Sequence, residues 1–159
     1  MSEALPSEKD ALKFFHAFLS EMISIGGKNL PRSIAIHLGG KLAQLYKERE
    51  IVNLPQAIMK MSETIGGKTK VERISEDEYY IRTKHSLRFC PIGGRYAPEK
   101  GSNFLEIVCL PYVIGFLNEF CPNYVTQIEV IGCIIQHGGR SCAYRLVIKP
   151  KKDGEKEFF

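Results

Sequence analysis

The chain has 159 residues, 44% hydrophobic and 25% charged, with a formal net charge of +4. That balance is the globular average and argues against a disordered chain, and no apolar run approaches the roughly 20 residues of a bilayer span. The one dense basic cluster, residues 149–156, mixes both signs and lacks interleaved aromatics, so no direct nucleic-acid binding is expected.

A chain of this length predicts one domain over residues 1–159, large enough to bury a core. Residues 1–15 carry acidic side chains early and no basic-then-apolar leader, so the expected compartment is the cytoplasm. There the five cysteines read as reduced thiols, metal ligands or redox groups rather than disulfides.

In chain order, residues 7–25 read as a helix with Ser7 as cap and Leu12, Phe15, Leu19, Met22 and Ile23 at helical spacing, ended by Gly26-Gly27. Pro31 suits the first turn of a second helix running to about Arg49, with Ile34, Leu38, Leu42 and Leu45 as its apolar stripe. Gly39-Gly40 within it costs about 1 kcal/mol per glycine against alanine. A tolerated kink, or close approach of another helix or a ligand, would explain the pair. A third helix is predicted over residues 54–65, then strands over 70–74 and 79–84 joined by a charged turn. Residues 90–101 read as a loop. Residues 103–120 are helical in pattern, with a kink at Cys109 or a division into two helices because Pro111 lacks an N–H. Residues 124–136 and 141–149 read as a long antiparallel hairpin. The order predicts an α+β domain, an antiparallel sheet of about four strands covered by helices.

The cysteines carry the candidate chemistry. A turn centred on Gly138-Gly139 would set Ile135 opposite Cys142 and Cys133 opposite Tyr144. Strand alternation would then put Cys133, Ile135 and His137 on one face with Cys142 and Tyr144. Cys133 and Cys142 become diagonal neighbours about 7 Å apart at the backbone, a gap two thiolates could narrow to share an ion. Cys109, at the helix break, supplies a third thiolate, and structural zinc asks for four sulfur or nitrogen ligands. The fourth stays open. Cys90, in its Pro/Gly-rich loop, would make the site all-thiolate and is preferred. His137 stands about 13 Å from Cys133 along an ideal strand. Cys121, before Pro122, is the least suited. No C-x-x-C spacing is present, and free cysteine often serves as a small buried hydrophobe, so spacing alone leaves core and metal both open.

Val108-Cys109 followed by Gly115, Cys133 and Cys142 around a glycine turn, and Ser86-Leu87-Arg88-Phe89 together resemble the vinyl-reductase-type hydrocarbon-binding domain family. Its fold is related to the small subunits of the TRAPP trafficking complex. The resemblance covers residues 86–148 and fits the first half only by helix count. It implies a TRAPP-small-subunit-like α+β fold that forms a homodimer and holds a small apolar molecule between helices and sheet. Phenol-sensing transcription activators carry a similar domain with zinc held by three cysteines and a glutamate. The resemblance maps those cysteines onto Cys109, Cys133 and Cys142. The glutamate position falls on Val130 with Glu129 adjacent, and the hairpin here is one residue longer. Glu129, Cys90 or His137 would complete the set.

The function expected is binding or sensing of a small hydrophobic ligand, hydrocarbon-like or aromatic, in a pocket braced by structural zinc. Nine phenylalanines and seven tyrosines are available to line it. One alternative is a metal-dependent or reductase-type enzyme. No G-x-G-x-x-G, P-loop, serine–histidine–acid or paired-carboxylate arrangement stands out, and zinc with four protein ligands has no open position; three ligands would leave one for water. The other alternative is a dimeric scaffold or assembly subunit, which rests on fold analogy alone.

Overall fold

A computed structural model describes residues 6–85 and 88–152; Ser86, Leu87 and residues 153–156 of the charged tail lie outside it, as do the side chains of Ser7 and Leu12. Helices α1 (Pro6–Gly26), α2 (Asn29–Glu48) and α3 (Leu54–Glu63) come first, then strands β1 (Lys68–Arg73) and β2 (Glu78–Lys84). A long helix follows, made of α4 (Pro98–Phe104), a π-helical turn (Leu105–Cys109) and α5 (Leu110–Phe120). Strand β3 (Tyr124–Gly132), the short helix α6 (Ile134–His137) and β4 (Ser141–Pro150) end the described chain. The strands form one four-stranded antiparallel sheet in the order β1-β2-β4-β3. The fold is therefore the expected α+β arrangement. Ile81 and Leu146 are fully buried on the helix-covered face, while Arg82, Glu129 and Arg145 stand exposed on the other.

Local chemistry accounts for the element ends. Asn53 caps α3, its side-chain oxygen accepting the Gln56 N–H at 3.0 Å, and Pro55 occupies the first turn, where no N–H is needed. Pro111 does not break the long helix. The turn before it widens to π geometry, so that the Leu110 N–H reaches back to the Leu105 carbonyl. The kink foreseen at Cys109 is thus absorbed as a π-helical turn that ends on Cys109.

Two expectations are corrected. The stripe of α2 that faces the core is Pro31, Ala35, Gly39, Ala43 and Tyr46, whereas Ile34, Leu38 and Leu45 are 36, 52 and 37% exposed. The reason is the crossing with α5. A Cβ on Gly39 would fall inside the Tyr112 carbonyl oxygen and within 2.8 Å of the Phe116 amide nitrogen, and one on Gly115 would fall inside the Ile36 carbonyl oxygen. The two backbones touch, so only small residues fit on that side. Close approach of a helix is what the Gly39 position serves.

The second correction is the hairpin. Val130 pairs with Tyr144 and Gly132 with Ala143, with a bulge between Val130 and Gly132, so Cys133 does not face Tyr144 and Ile135 does not face Cys142. The chain leaves the sheet at Cys133 and makes a helical turn. Neighbouring residues on a strand point to opposite faces; Ile134 and Ile135 are both buried, at 0 and 1% exposure, which a turn tucked into the core allows. Gly138 and Gly139, with φ of 77° and 84°, then steer the chain into β4.

The helix Pro98–Phe120 is long and apolar enough to cross a membrane by length and composition. Here it runs through the core, with Ile107, Val108, Val113, Phe116 and Leu117 buried against α2 and the sheet.

Candidate functional site

The core is filled at the α2–α5 crossing and hollow beside the π-helical turn. There a cavity of about 90 Å³ opens between the long helix, the end of α3, the loop at Cys90 and the β3–α6–β4 connection. Phe104, Val113, Ile128 and Val130 give it apolar walls, and no Asp, Glu, Lys or Arg lines it among the described residues. Its polar lining comes from Ser62, Thr83, His85, Tyr112 and Tyr144.

Four of the five cysteines line this cavity: Cys90, Cys109, Cys133 and Cys142. Cys121 is the C-terminal cap of α5 and is absent from the lining. Cys109 ends the π-helical turn and is half-buried. Burial pushes its thiol up to about 12, with the Cys90 and Cys133 sulfurs adding to the effect. Cys90 begins a tight turn in which it exchanges 2.8 Å backbone hydrogen bonds with Gly94, and the Gly93 N–H donates to its sulfur at 3.5 Å. Burial raises its pKa as well. The neighbouring Cys142 thiol holds the pKa of Cys133 down at about 6, with backbone amides of α6 helping, while Cys142 itself is pushed up.

The remaining candidates point elsewhere. His137 closes α6, its Nδ1 accepting the Cys133 N–H at 3.1 Å, and does not line the cavity. Glu129 lies on the exposed face of β3, within 3.4 Å of Arg145, which also pairs with Glu78. Val130, its neighbour, lines the cavity instead. Among the described residues no group of three or more His, Cys, Asp or Glu side chains converges closely enough to hold a metal ion. The donor chemistry of four thiols in one wall suits zinc; as they stand, the sulfurs would have to close in to bind it.

Sequence reasoning placed Tyr144 on the Cys142 face, where it lies, but missed its importance. Its hydroxyl is buried with no hydrogen-bond partner, and burial raises its pKa. Burial likewise raises that of Tyr112 and lowers that of His85. Alternation along β4 signals the face; no sequence pattern signals which of seven tyrosines lacks a partner.

No protein-family model matches the chain, and no curated protein matches it. Solved structures do. Trafficking protein particle complex subunit 3 from Naegleria fowleri, covalently bound to palmitic acid, overlays with a TM-score of 0.61 at 12% identity, covering 92% of this chain and 98% of that one. A leucine-for-phenylalanine variant of Tt H-NOX gives 0.50 at 12% identity, over 98% of this chain and 79% of that. The phenol-responsive sensory domain of the transcription activator PoxR, with phenol, gives 0.48 at 15%, over 87 and 74%. At such identities the likeness is one of fold, and the fold is that of a TRAPP subunit.

Proposed function

We propose that the protein binds or senses a small hydrophobic molecule, hydrocarbon-like or aromatic, and belongs with the vinyl-reductase-type hydrocarbon-binding domains that its cysteine pattern resembles. The observation that carries this reading is the cavity of about 90 Å³ with apolar walls and no charged lining residue among those described. Protein interiors leave few voids larger than a water molecule, and small-ligand pockets are mostly apolar with a few placed polar groups. An apolar cavity of about 150 Å³ accepts benzene, so the smaller space here, about 90 Å³, takes a ring of that size only if its walls give. That a protein of the same fold has been solved with palmitic acid attached supports an apolar guest. A long acyl chain exceeds this cavity unless the walls part.

In the same proposal, a structural zinc braces the wall in a reducing, cytoplasmic setting. Cys109, Cys133 and Cys142 would hold it, with Cys90 as the fourth ligand because it shares the cavity wall while His137 and Glu129 do not. Four thiolates would leave the metal no open position, which favours binding over catalysis. The homodimer would form through α1 and α2, which expose Phe14, Phe18 and Leu38 at 73, 56 and 52%. Apolar faces of that kind on paired helices commonly mark a protein interface, and a two-fold pair is the commonest assembly. The same face would serve a scaffold.

Native mass spectrometry of the purified protein reads guest, metal and assembly together. The expected result is a zinc-loaded dimer carrying an apolar adduct; a metal-free, adduct-free monomer would overturn the reading. Cys142→Ser is expected to strip zinc and lower Tm, and Cys121→Ser to do neither. Unchanged metal content in Cys142→Ser would remove that thiol from the site.

A further inference from the structure

We infer that the cavity selects an uncharged ligand carrying a hydrogen-bond acceptor, such as a ketone or ether oxygen, held by the Tyr144 hydroxyl. This deepens the proposed binding function and rests on it.

Among the described residues, the Tyr144 hydroxyl is the one buried side-chain oxygen or nitrogen without a hydrogen-bond partner. Buried polar groups are nearly always paired, because an unmade bond leaves the cost of desolvation uncompensated. Two other hydroxyls of this wall are engaged, Ser62 donating to the Ile58 carbonyl at 3.2 Å and Thr83 sharing a 2.8 Å bond with Thr69, while Tyr112 also lines the cavity. Tyr144 sits mid-sheet, paired with Ile81 on β2 and Val130 on β3, and lines the cavity, so a guest that parts the atoms packed on its hydroxyl can supply the missing partner.

The lining sets the charge of that guest. No Asp, Glu, Lys or Arg borders the cavity among the described residues, so a carboxylate or an ammonium would lose its hydration without gaining a counter-charge. A neutral molecule whose oxygen accepts from Tyr144, and whose body rests on Val113, Ile128 and Val130, incurs no such penalty.

The test is an NMR titration of the full chain with cyclopentane, cyclopentanone and cyclopentanecarboxylate, repeated on Tyr144→Phe. The variant is expected to weaken cyclopentanone about tenfold, the equivalent of about 1.4 kcal/mol. Cyclopentane should bind both proteins alike, and the carboxylate neither. Tm should hold or rise, since an unpaired hydroxyl has been removed. Equal effects on cyclopentane and cyclopentanone, or none on either, would overturn the inference while leaving the cavity reading intact. Failure of all three probes to bind would sink the cavity reading and this inference together. Should Tyr144→Phe not fold, wild-type preference for cyclopentanone over methylenecyclopentane, which has the same shape without the oxygen, decides the matter. Affinities that follow partition coefficients alone would count against Tyr144.

Discussion

The α2–α5 crossing and the cavity beside the π-helical turn lie in one layer between helices and sheet, and they solve the packing problem in opposite ways. At the crossing, Phe116, Leu117, Ile58, Ile81 and Leu146 are fully buried, Tyr46 and Phe116 meet edge to face at 5.9 Å, and backbone lies on backbone at Gly39 and Gly115. At the cavity, space is left open and its rim carries thiols, phenols and an imidazole. The contrast locates chemistry where packing is incomplete. A dense core fixes the two layers rigidly enough for a void nearby to persist rather than collapse.

Removing a ring from the filled end should be the most damaging change. Phe116→Ala is expected to cost about 3–5 kcal/mol, seen as a lower denaturant midpoint with an unchanged slope. Val130→Phe places a ring into the hollow end instead. It should cost less than about 1.5 kcal/mol, because the added volume enters existing space, and it should abolish cyclopentane binding. If Val130→Phe destabilised as much as Phe116→Ala, the two ends would be equally packed and the contrast would vanish.

Next in size is the crossing itself, where adjacent glycines make opposite demands. Gly39→Ala forces a methyl into the α5 backbone and should cost about 1–3 kcal/mol. At Gly40 the nearest atom to an added Cβ is the Gly115 oxygen at 3.7 Å, ordinary contact, so Gly40→Ala should stabilise by up to about 1 kcal/mol through helix propensity. Chemical denaturation of both variants reads the difference in sign. Equal shifts would mean that the helices are not in backbone contact.

How far the fold was legible follows from which forces act locally. Apolar periodicity, proline placement and the Gly-Gly stops are written in neighbouring residues, and helices, strands and sheet class emerge from them. The facing of α2 is not. Ile34-Leu38-Leu42-Leu45 and Ala35-Gly39-Ala43 share helical spacing, and only the approach of α5 at Gly115 selects the small stripe. The hairpin reading failed for a related reason. Gly138-Gly139 looks like a two-residue turn until Ile134 and Ile135, adjacent and both buried, require a helical turn ahead of it. Of the residues singled out from the sequence as candidate ligands, Cys90, Cys109, Cys133 and Cys142 do line one cavity. The site was not legible in Tyr144, whose missing partner is a fact of tertiary structure.

The smallest expected effect sharpens the comparison by pH. His85 lines the cavity at 5% exposure, and burial lowers its pKa, whereas the filled core contains no ionisable side chain other than tyrosine among its buried residues. In the unfolded chain His85 titrates near 6.5. With the folded value depressed, the unfolded state takes up the proton first. The stability from keeping His85 neutral is therefore complete above about 6.5 and is lost as pH falls from there through the folded pKa. Cys133 has the same sign but a higher window, from its ordinary 9.0 down to about 6, so wild-type stability alone mixes the two. Subtracting the unfolding free energies of His85→Gln from those of wild type between about pH 5 and 7 cancels Cys133 and leaves the His85 slope. A difference that stays flat across that range would mean that His85 reaches solvent through the cavity, and that the hollow end is wet rather than merely open.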